Sequence, residues 1–264
     1  MPKNYQWNAS DYAQHSSAQF QWALELIEKL NLQGSESVLD IGCGDGKVTA
    51  EIADRLPLGR VVGIDSSEEM IRLASEKIAA APFNNITFMQ MDAREMIFKQ
   101  EFDVIFSNAT LHWIKDHLDV LKKMYSALHP GGKILLQMGG KGNAASIIAV
   151  ADALISREPW KAYFTDFTFP YGFYDETRYK DWLIKVGFKP ARIELIAKDM
   201  THNGSEKLRG WFRTTWLPYT ERVPEEKQEK FISEVIDAYL LANPPDKIGR
   251  THVEMVRLEV EAEK

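Results

Sequence analysis

The sequence has little of what several classes of protein need. It contains a single cysteine, Cys43, which excludes an internal disulfide. Its 32 Lys and Arg against 38 Asp and Glu give a formal net charge of −6, so it lacks the basic excess of a nucleic-acid-binding domain. The apolar run 147–151 stops at Asp152, and no run approaches the length of a membrane span. The first residues also lack the apolar centre of a signal peptide. We therefore expect a cytoplasmic protein without nucleic-acid or membrane partners.

Two common phosphate-binding patterns are missing as well. No G-x-x-x-x-G-K-[ST] sequence occurs, which excludes a P-loop. The glycine-rich segment Val38–Lys47 departs from the dinucleotide pattern G-x-G-x-x-G. Its third glycine comes one residue early, and Lys47 stands where the last glycine of the pattern should be.

That glycine-rich segment nevertheless has the form of a strand running into a turn and then a helix. Glycines at such a turn allow positive φ and a close approach of the backbone to a ligand, and the amides of the next helix are donors there. Asp40 precedes the glycines, where a carboxylate would repel a pyrophosphate but attract an ammonium group. A second apolar strand ends on Asp65, which can accept both hydroxyls of a ribose. S-adenosylmethionine, with a ribose, a base and a cationic end, fits such a site at the carboxyl ends of parallel strands.

Helical and strand patterns alternate through the first half of the chain. This alternation predicts a parallel sheet wrapped by helices. The predicted strands are about 37–41, 60–64, 86–89, 102–107 and 133–138, and the predicted helices are 17–31, 46–56, one from 67, and 116–128. Ser66 with Glu69 predicts a capping box for the helix from 67, and His129–Gly132 predicts a turn that ends the helix before it.

The second half is less regular. Helices are predicted at about 144–156, 175–186, 204–217 and 225–242, and strands at 191–197 and 253–260. The last strand alternates apolar and polar residues, as is typical of a half-exposed edge strand. The aromatic-rich stretch 160–174 is expected to be core or the floor of an apolar pocket.

Motifs in this order resemble those of the class I S-adenosylmethionine-dependent methyltransferases. The matching parts are Val38–Gly46, Asp65, Met91–Ala93, Phe102–Asn108 and Leu128–Leu136. The resemblance implies a Rossmann-like, seven-stranded, mostly parallel α/β sheet with an antiparallel last strand and helices on both faces. It also implies an S-adenosylmethionine-dependent methyltransferase.

Three further segments resemble the trans-aconitate methyltransferase group of that class. They are Trp7–Tyr12, Ser107–Trp113 and Trp211–Tyr219. Relatives of that group form methyl esters on small or carrier-bound carboxylic acids, and the group often carries glutamine where His112 stands. The resemblance thus implies a carboxylate oxygen as the methyl acceptor.

The cofactor-binding residues expected from these motifs lie at the strand ends and beside them: Asp40, Gly42, Gly44, Asp65, Ser66, Met70, Asp92, Ala93, Asn108 and Tyr12. By the resemblance, Asp92 accepts the adenine amino group while Ala93 lines the ring. Ser66 and Met70 flank the adenine, and Asn108 lies beside the methyl group.

The expected acceptor-binding residues are Trp7, His112, Trp113, Arg213 and Trp216. His112 could act as a general base, since its pKa lies near working pH, or could line the pocket and donate a hydrogen bond. A carboxylate acceptor needs no base, because it is already ionised near neutral pH. Arg213 could pair with a carboxylate in bidentate fashion, and Trp113 could form a pocket wall or core.

We expect one domain over 1–264, with its core at about 30–200 and 251–264. The connection of about fifty residues before the last strand, 201–250, predicts a helical cap over the acceptor, and 1–31 predicts an N-terminal helical lid. The expected function is methyl transfer from S-adenosylmethionine to a small-molecule acceptor, by a monomer or homodimer without a metal. N- or C-methylation and a cofactor-binding protein without transfer activity stay open as alternatives. A nicotinamide oxidoreductase is the weakest alternative, because Asp40 opposes a pyrophosphate at the turn.

Overall fold

The computed structural model of the chain describes residues 17–81 and 83–264. Its strands are β1 (Ser37–Ile41), β2 (Arg60–Asp65), β3 (Ile86–Gln90), β4 (Phe102–Asn108), β5 (Leu128–Gly139), β6 (Lys189–His202) and β7 (Thr251–Glu263). Its helices are α1 (Ser17–Lys29), α2 (Lys47–Asp54), α3 (Glu68–Ala79), α4 (His117–Ala127), α5 (Ala145–Ile155), α6 (Glu176–Val186), α7 (Ser205–Thr215), α8 (Leu217–Thr220) and α9 (Glu225–Ala242).

The seven strands form one sheet in the order β3-β2-β1-β4-β5-β7-β6. The first five strands pair in parallel, and β7 is antiparallel to β5. This arrangement confirms the predicted fold class. The strand order reverses between β1 and β4, and ligands of open α/β sheets bind at the carboxyl ends of the strands beside such a reversal. None of the helices in the described part of the chain is long and apolar enough to cross a membrane.

The chain divides into two compact units. The larger, which we call the sheet unit, comprises Gln19–Lys141, Tyr171–Ile196 and Arg257–Lys264; the described part of the smaller, the helical unit, comprises residues 17–18, Gly142–Pro170 and Ala197–Val256. The segment predicted as a cap, 201–250, lies in the helical unit and contains α7, α8 and α9. Its role as a cap, like that of 1–31 as a lid, stays a prediction.

The sheet unit buries apolar side chains on both faces of its strands. Leu26, Ile27 and Leu30 of α1 pack on one face, together with apolar residues that include Val38 and Phe106. The opposite face carries a larger apolar cluster: Leu39, Ile41, Ile105, Leu136, Leu258 and Val260, among others. Because successive side chains of a strand point to opposite faces, Val38 and Asp40 share the face that α1 covers.

The helical unit has an aromatic centre of its own. Phe231 of α9 contacts Trp160 edge-on, with ring centroids 5.1 Å apart, and stacks on Phe164 at 5.8 Å. Tyr219 packs against Phe167 at 4.8 Å, and its hydroxyl donates to Asp152 over 2.8 Å. Much of the aromatic-rich stretch is therefore core.

The cap of α3 differs from the prediction. Ser67 is the N-cap residue, and its hydroxyl accepts the amide of Met70 at 3.3 Å, whereas Ser66 is exposed. Asp65 explains the shift, because its carboxylate accepts the amide of Ser67 at 2.8 Å and holds that residue in an extended conformation at the helix start.

Two strand predictions are also corrected. The segment His129–Gly132 is an irregularity within β5 rather than a turn before it, since Leu128 already pairs with Phe102. The prediction that the last strand lies at the edge of the sheet is wrong, because β7 lies between β5 and β6. Its polar residues Arg257 and Glu259 are only 3% and 1% exposed.

Candidate active site

The glycine turn after β1 is tied to the end of β2. The amides of Gly42 and Cys43 both donate to the carbonyl of Ile64, over 2.7 and 3.0 Å. Gly42 has φ +76°, and a Cβ there would lie 2.1 Å from the hydroxyl of Thr110. Gly44 has φ +53°, and a Cβ there would meet nothing within 4 Å. The turn is thus packed tightly behind Gly42 and has free space beside Gly44, as a close approach of a ligand requires.

Asp65 connects this turn to α3. Its Oδ2 accepts the amide of Gly44 at 3.0 Å, and its Oδ1 accepts the amide of Ser67 at 2.8 Å. A carboxylate has about four lone-pair sites, so each oxygen can accept one further donor. Two hydroxyls on adjacent carbons of a ribose match that capacity. Burial raises the pKa of Asp65, although hydrogen bonds from the amides of Ser67 and Gly44 oppose the rise.

Asp40 is the deeper of the two acids. It is 2% exposed, and its Oδ2 accepts the hydroxyl of Thr49 in α2 at 2.6 Å. Burial raises the pKa of Asp40 to about 7; the bond from Thr49 opposes the rise and the charge of Asp65 adds to it. A buried carboxylate of this kind gains strongly from a cation placed beside it.

The residues predicted to surround the adenine differ in their exposure and in their partners. Met70 and Ala93 are buried, and Ser66 is exposed. Asp92 binds Arg94: its Oδ1 accepts the Arg94 amide at 2.8 Å and the guanidinium Nε at 2.9 Å. The guanidinium lowers the pKa of Asp92. A carboxylate predicted to accept an adenine amino group therefore already holds a guanidinium.

The loop after β4 contacts the glycine turn directly. Asn108 ends β4 opposite Gln137 of β5, and Ala109 then has φ +56°. The hydroxyl of Thr110 lies 3.2 Å from the carbonyl of Gly42 and 3.1 Å from that of Asn108. Sequence reasoning missed Thr110, because a threonine after a strand carries no signal of a contact 68 residues away.

His112 follows in the same loop and is 8% exposed. Its Nδ1 accepts the amide of Gly139 at 3.4 Å. Burial lowers the pKa of His112 well below its ordinary value, and the positive charge of Arg257 lowers it further. The imidazole is therefore neutral, and since Nδ1 accepts, the ring proton lies on Nε2. His112 offers a hydrogen-bond donor on that side.

Aromatic rings surround His112. The ring centroids of Trp113, Tyr171 and Phe173 lie 5.9, 5.7 and 5.9 Å from that of His112. Tyr171 and Phe173 come from the stretch 160–174, so one end of that stretch does line the candidate site.

The structure brings most of the predicted site into the sheet unit, at the carboxyl ends of β1, β2, β3 and β4. The residues placed there are Asp40, Gly42, Gly44, Asp65, Ser66, Met70, Asp92, Ala93, Asn108, His112 and Trp113. Arg213 and Trp216 belong to the helical unit, where Arg213 pairs with Glu229 at 3.4 Å and Trp216 is buried against Trp211. Trp7 and Tyr12 lie outside the described residues. The roles assigned to all of these residues stay predictions.

Comparison with known proteins agrees with this geometry. Residues 38–132 match the family model of a methyltransferase domain. The chain is 30% identical to an uncharacterised methyltransferase of Schizosaccharomyces pombe, over 100% of both chains. It is also 30% identical to a trans-aconitate 2-methyltransferase of Mycobacterium tuberculosis, over 97% of this chain and 96% of that one.

Solved structures share the fold. The YcgJ protein of Bacillus subtilis superposes with a TM-score of 0.65 at 15% identity, over 93% of this chain and 98% of that one. Phosphoethanolamine N-methyltransferase 2 of Haemonchus contortus, in complex with S-adenosyl-L-methionine, superposes with a TM-score of 0.60 at 19% identity, over 97% of this chain and 56% of that one.

A sheet reversed at β1 and β4, with a glycine turn and an acid at the end of the next strand, defines a nucleoside-cofactor enzyme of the Rossmann-like type. With these relatives, the chain belongs to the class I S-adenosylmethionine-dependent methyltransferases and lies near the trans-aconitate 2-methyltransferases. Its cofactor is S-adenosylmethionine. The open space beside Gly44 and the remaining lone pairs of Asp65 fit that cofactor.

Proposed function

We propose that the chain methylates a carboxylate oxygen of a small organic acid. The relatives named trans-aconitate 2-methyltransferase support an acceptor of this kind. The observation that carries the proposal is the state of His112, whose Nδ1 accepts the amide of Gly139 and whose imidazole stays neutral. A residue in this state donates a hydrogen bond, and it is a poor base for an acceptor that must first lose a proton.

A carboxylic acid meets this requirement without a base. Its pKa is near 4 in water, so it is ionised at neutral pH. The Nε2–H of His112 can then orient the carboxylate while the other oxygen attacks. The rings of Trp113, Tyr171 and Phe173 lie around the imidazole, and His112 is 8% exposed. Catalysis on this proposal comes from orientation and desolvation.

The cofactor residues take the roles that their geometry suits. Asp40 pairs with the ammonium group, Asp65 accepts the two ribose hydroxyls, and the buried Met70 and Ala93 pack on the adenine. When bound, S-adenosylmethionine would supply an electrophilic methyl group, which an ionised acceptor oxygen could take up without a base.

Labelled S-adenosylmethionine tests the proposal. It is incubated with trans-aconitate, other small carboxylic acids, phenols and amines, and the products are identified by mass. Base-labile methyl esters are expected, with Asp65→Ala weakening cofactor binding in calorimetry. Transfer to phenols or amines alone, with no ester formed, contradicts the proposal.

Two variants of His112 separate a donor from a base. His112→Gln keeps a side-chain donor and should retain activity within about tenfold, whereas His112→Leu should lose more than that, since one charge-assisted hydrogen bond is worth roughly 1.5–3 kcal/mol. A dead His112→Gln enzyme, with cofactor binding intact, would argue for proton abstraction by the imidazole.

A further inference from the structure

Three side chains meet where the segment predicted as a cap, 201–250, begins and ends. His252 is near the start of β7, Asp199 is near the end of β6, and Asp246 lies in the loop between α9 and β7. The imidazole Nδ1 of His252 lies 2.7 Å from Oδ2 of Asp199, and its Nε2 lies 3.3 Å from Oδ2 of Asp246. We call these three residues the clasp. All three belong to the helical unit.

The clasp joins residues on both sides of segment 201–250. Asp199 precedes the segment, Asp246 lies among its last residues, and His252 follows it. Because β6 and β7 are neighbours in the sheet, the imidazole connects the loop to two adjacent strands. The hydroxyl of Tyr239 in α9 also donates to the carbonyl of His252 over 2.7 Å. The clasp therefore contributes to how firmly the end of the segment is held.

The loop holds Asp246 in place by hydrogen bonds of its own. Oδ1 of Asp246 accepts the amides of Ile248 and Arg250 at 3.0 and 2.9 Å, and Oδ2 accepts Nε of Arg250 at 3.0 Å. The amide of Gly249 donates to the carbonyl of Asp246 over 3.0 Å. The bond from the amide of Arg250 is the main cause that lowers the pKa of Asp246. Asp246 is therefore ionised throughout the range in which a histidine titrates.

Only the protonated imidazole of His252 can donate to both carboxylates. A neutral imidazole has one N–H and one lone pair, so one of its nitrogens would face a carboxylate oxygen with no proton between them. The hydrogen bond to Asp199, followed by the one to Asp246, raises the pKa of His252. The contact of Nε2 with Asp246 is the longer of the two, and Asp246 keeps its other donors without it. The loop side of the clasp is thus the side that opens when a proton is lost.

Other charged and titratable groups lie close to the clasp. Arg250 shares Oδ2 of Asp246 with His252, and Tyr239 contacts the backbone of His252. Glu254 lies two residues further along β7 and therefore on the same face as His252. Its charge favours the imidazolium, as the aspartates do, whereas that of Arg250 opposes it. The described residues include no group of three or more His, Cys, Asp or Glu that could hold a metal ion.

We propose that the clasp is a pH-sensitive contact, which holds the loop 244–250 to β6 and β7 when His252 is protonated and releases it when His252 is neutral. Because the pKa of His252 is raised by folding, the stabilisation is complete below its ordinary value of 6.5 and is lost as the pH rises through the value in the folded protein. The side chain of His252 is 37% exposed, so the contact is weak and sensitive to salt. The inference does not depend on the identity of the methyl acceptor.

NMR titration of the His252 imidazole in the full-length protein is the first test. We expect a pKa above 6.5 in the wild type and a lower one in Asp199→Asn, because this change keeps the shape of the side chain and removes its charge. Asp166→Asn, the same change at an exposed residue of the helical unit, is the matched control and should leave the pKa of His252 unchanged. A wild-type pKa at or below 6.5 overturns the inference, and so does an Asp199→Asn variant with the wild-type value.

Hydrogen exchange of the loop amides tests the release itself. After correction for the intrinsic pH dependence of exchange, the amides of Gly249 and Arg250 should exchange about two- to fivefold faster at about pH 8 than at about pH 6, as loss of one exposed ion pair predicts. Salt at about 1 M should reduce this difference.

Two variants assign the difference to the clasp. His252→Gln carries no charge at either pH and should remove the difference, and Asp246→Asn, which keeps an acceptor oxygen without the charge, should reduce it. Asp40 titrates in the same range, but all three proteins contain it, so the comparison isolates His252. The inference is refuted if the wild type shows no difference, or if either folded variant shows the wild-type difference in full.

Discussion

We expect Asp40 to make cofactor affinity depend on pH near neutrality. Its folded pKa is about 7, against an ordinary value of 3.8. If only the ionised form pairs with the ammonium group, the apparent Kd equals the intrinsic Kd divided by the ionised fraction. About one-tenth of Asp40 is ionised at pH 6 and about nine-tenths at pH 8, so affinity should be roughly tenfold weaker at pH 6. Binding below pH 7 should also release a proton.

As the pH rises, cofactor affinity should increase, whereas the free energy of unfolding of the protein without cofactor should decrease. Because the folded pKa is raised, the contribution of Asp40 is complete below about pH 3.8 and is lost as the pH rises through about 7. Each pH unit in that window is worth about 1.4 kcal/mol, which amounts to about 4 kcal/mol in total. The buried, ionised carboxylate therefore destabilises the protein until a cation binds beside it.

Asp40→Asn isolates both effects, because an asparagine can still accept the hydroxyl of Thr49. We expect cofactor binding to weaken strongly and to lose its pH dependence, while the variant without cofactor becomes more stable than wild type at pH 8. Calorimetry at pH 6 and 8, in two buffers of different ionisation enthalpy, measures affinity and proton release together. Urea unfolding of both proteins between pH 4 and 8 gives the difference due to Asp40 alone.

Two results would refute the reasoning. One is a wild-type affinity that does not change between pH 6 and 8. The other is an Asp40→Asn protein whose stability follows the same pH curve as wild type. Either would mean that the charge on Asp40 is already compensated without the cofactor.

Two further changes test packing. Gly42→Ala should abolish cofactor binding, because a Cβ there would lie 2.1 Å from the Thr110 hydroxyl. The control is Gly131→Ala, which has a similar φ of +79° and no atom within 4 Å of the added Cβ, so it should cost only about 1–2 kcal/mol of backbone strain. Equal melting temperatures for the two variants would contradict this. Tyr219→Phe removes the 2.8 Å hydrogen bond to the carboxylate of Asp152 and should lower the free energy of unfolding by about 1.5–3 kcal/mol. Because burial and Asp152 raise the pKa of Tyr219, this loss should be constant from pH 6 to 9 in urea unfolding.

The sequence by itself determined the parallel sheet and the cofactor end of the site. The strand, the glycine turn and the acid of the next strand are close together in sequence, and backbone sterics restrict such a turn to a few shapes. For this reason the residue pattern alone identifies Asp40, Gly42, Gly44 and Asp65 as candidates. The parallel sheet wrapped by helices followed from alternating periodicities, which are also local properties, whereas the antiparallel last strand was implied only by the resemblance to the methyltransferase class.

Tertiary structure alone decided what surrounds His112 and the last strand. The alternating polar residues of β7 predict a solvent-exposed face, but the same pattern arises when a helix covers that face and the charges pair beneath it. Only the strand order, with β7 inside the sheet and α1 over it, shows that Glu259 is buried against Lys29 and that Arg257 is paired with Gly139, whose amide donates to His112. In the same way, Thr110 meets Gly42 across 68 residues, and Asp65 accepts the amide of Gly44 across 21 residues. These contacts join distant parts of the chain, and no local propensity encodes them.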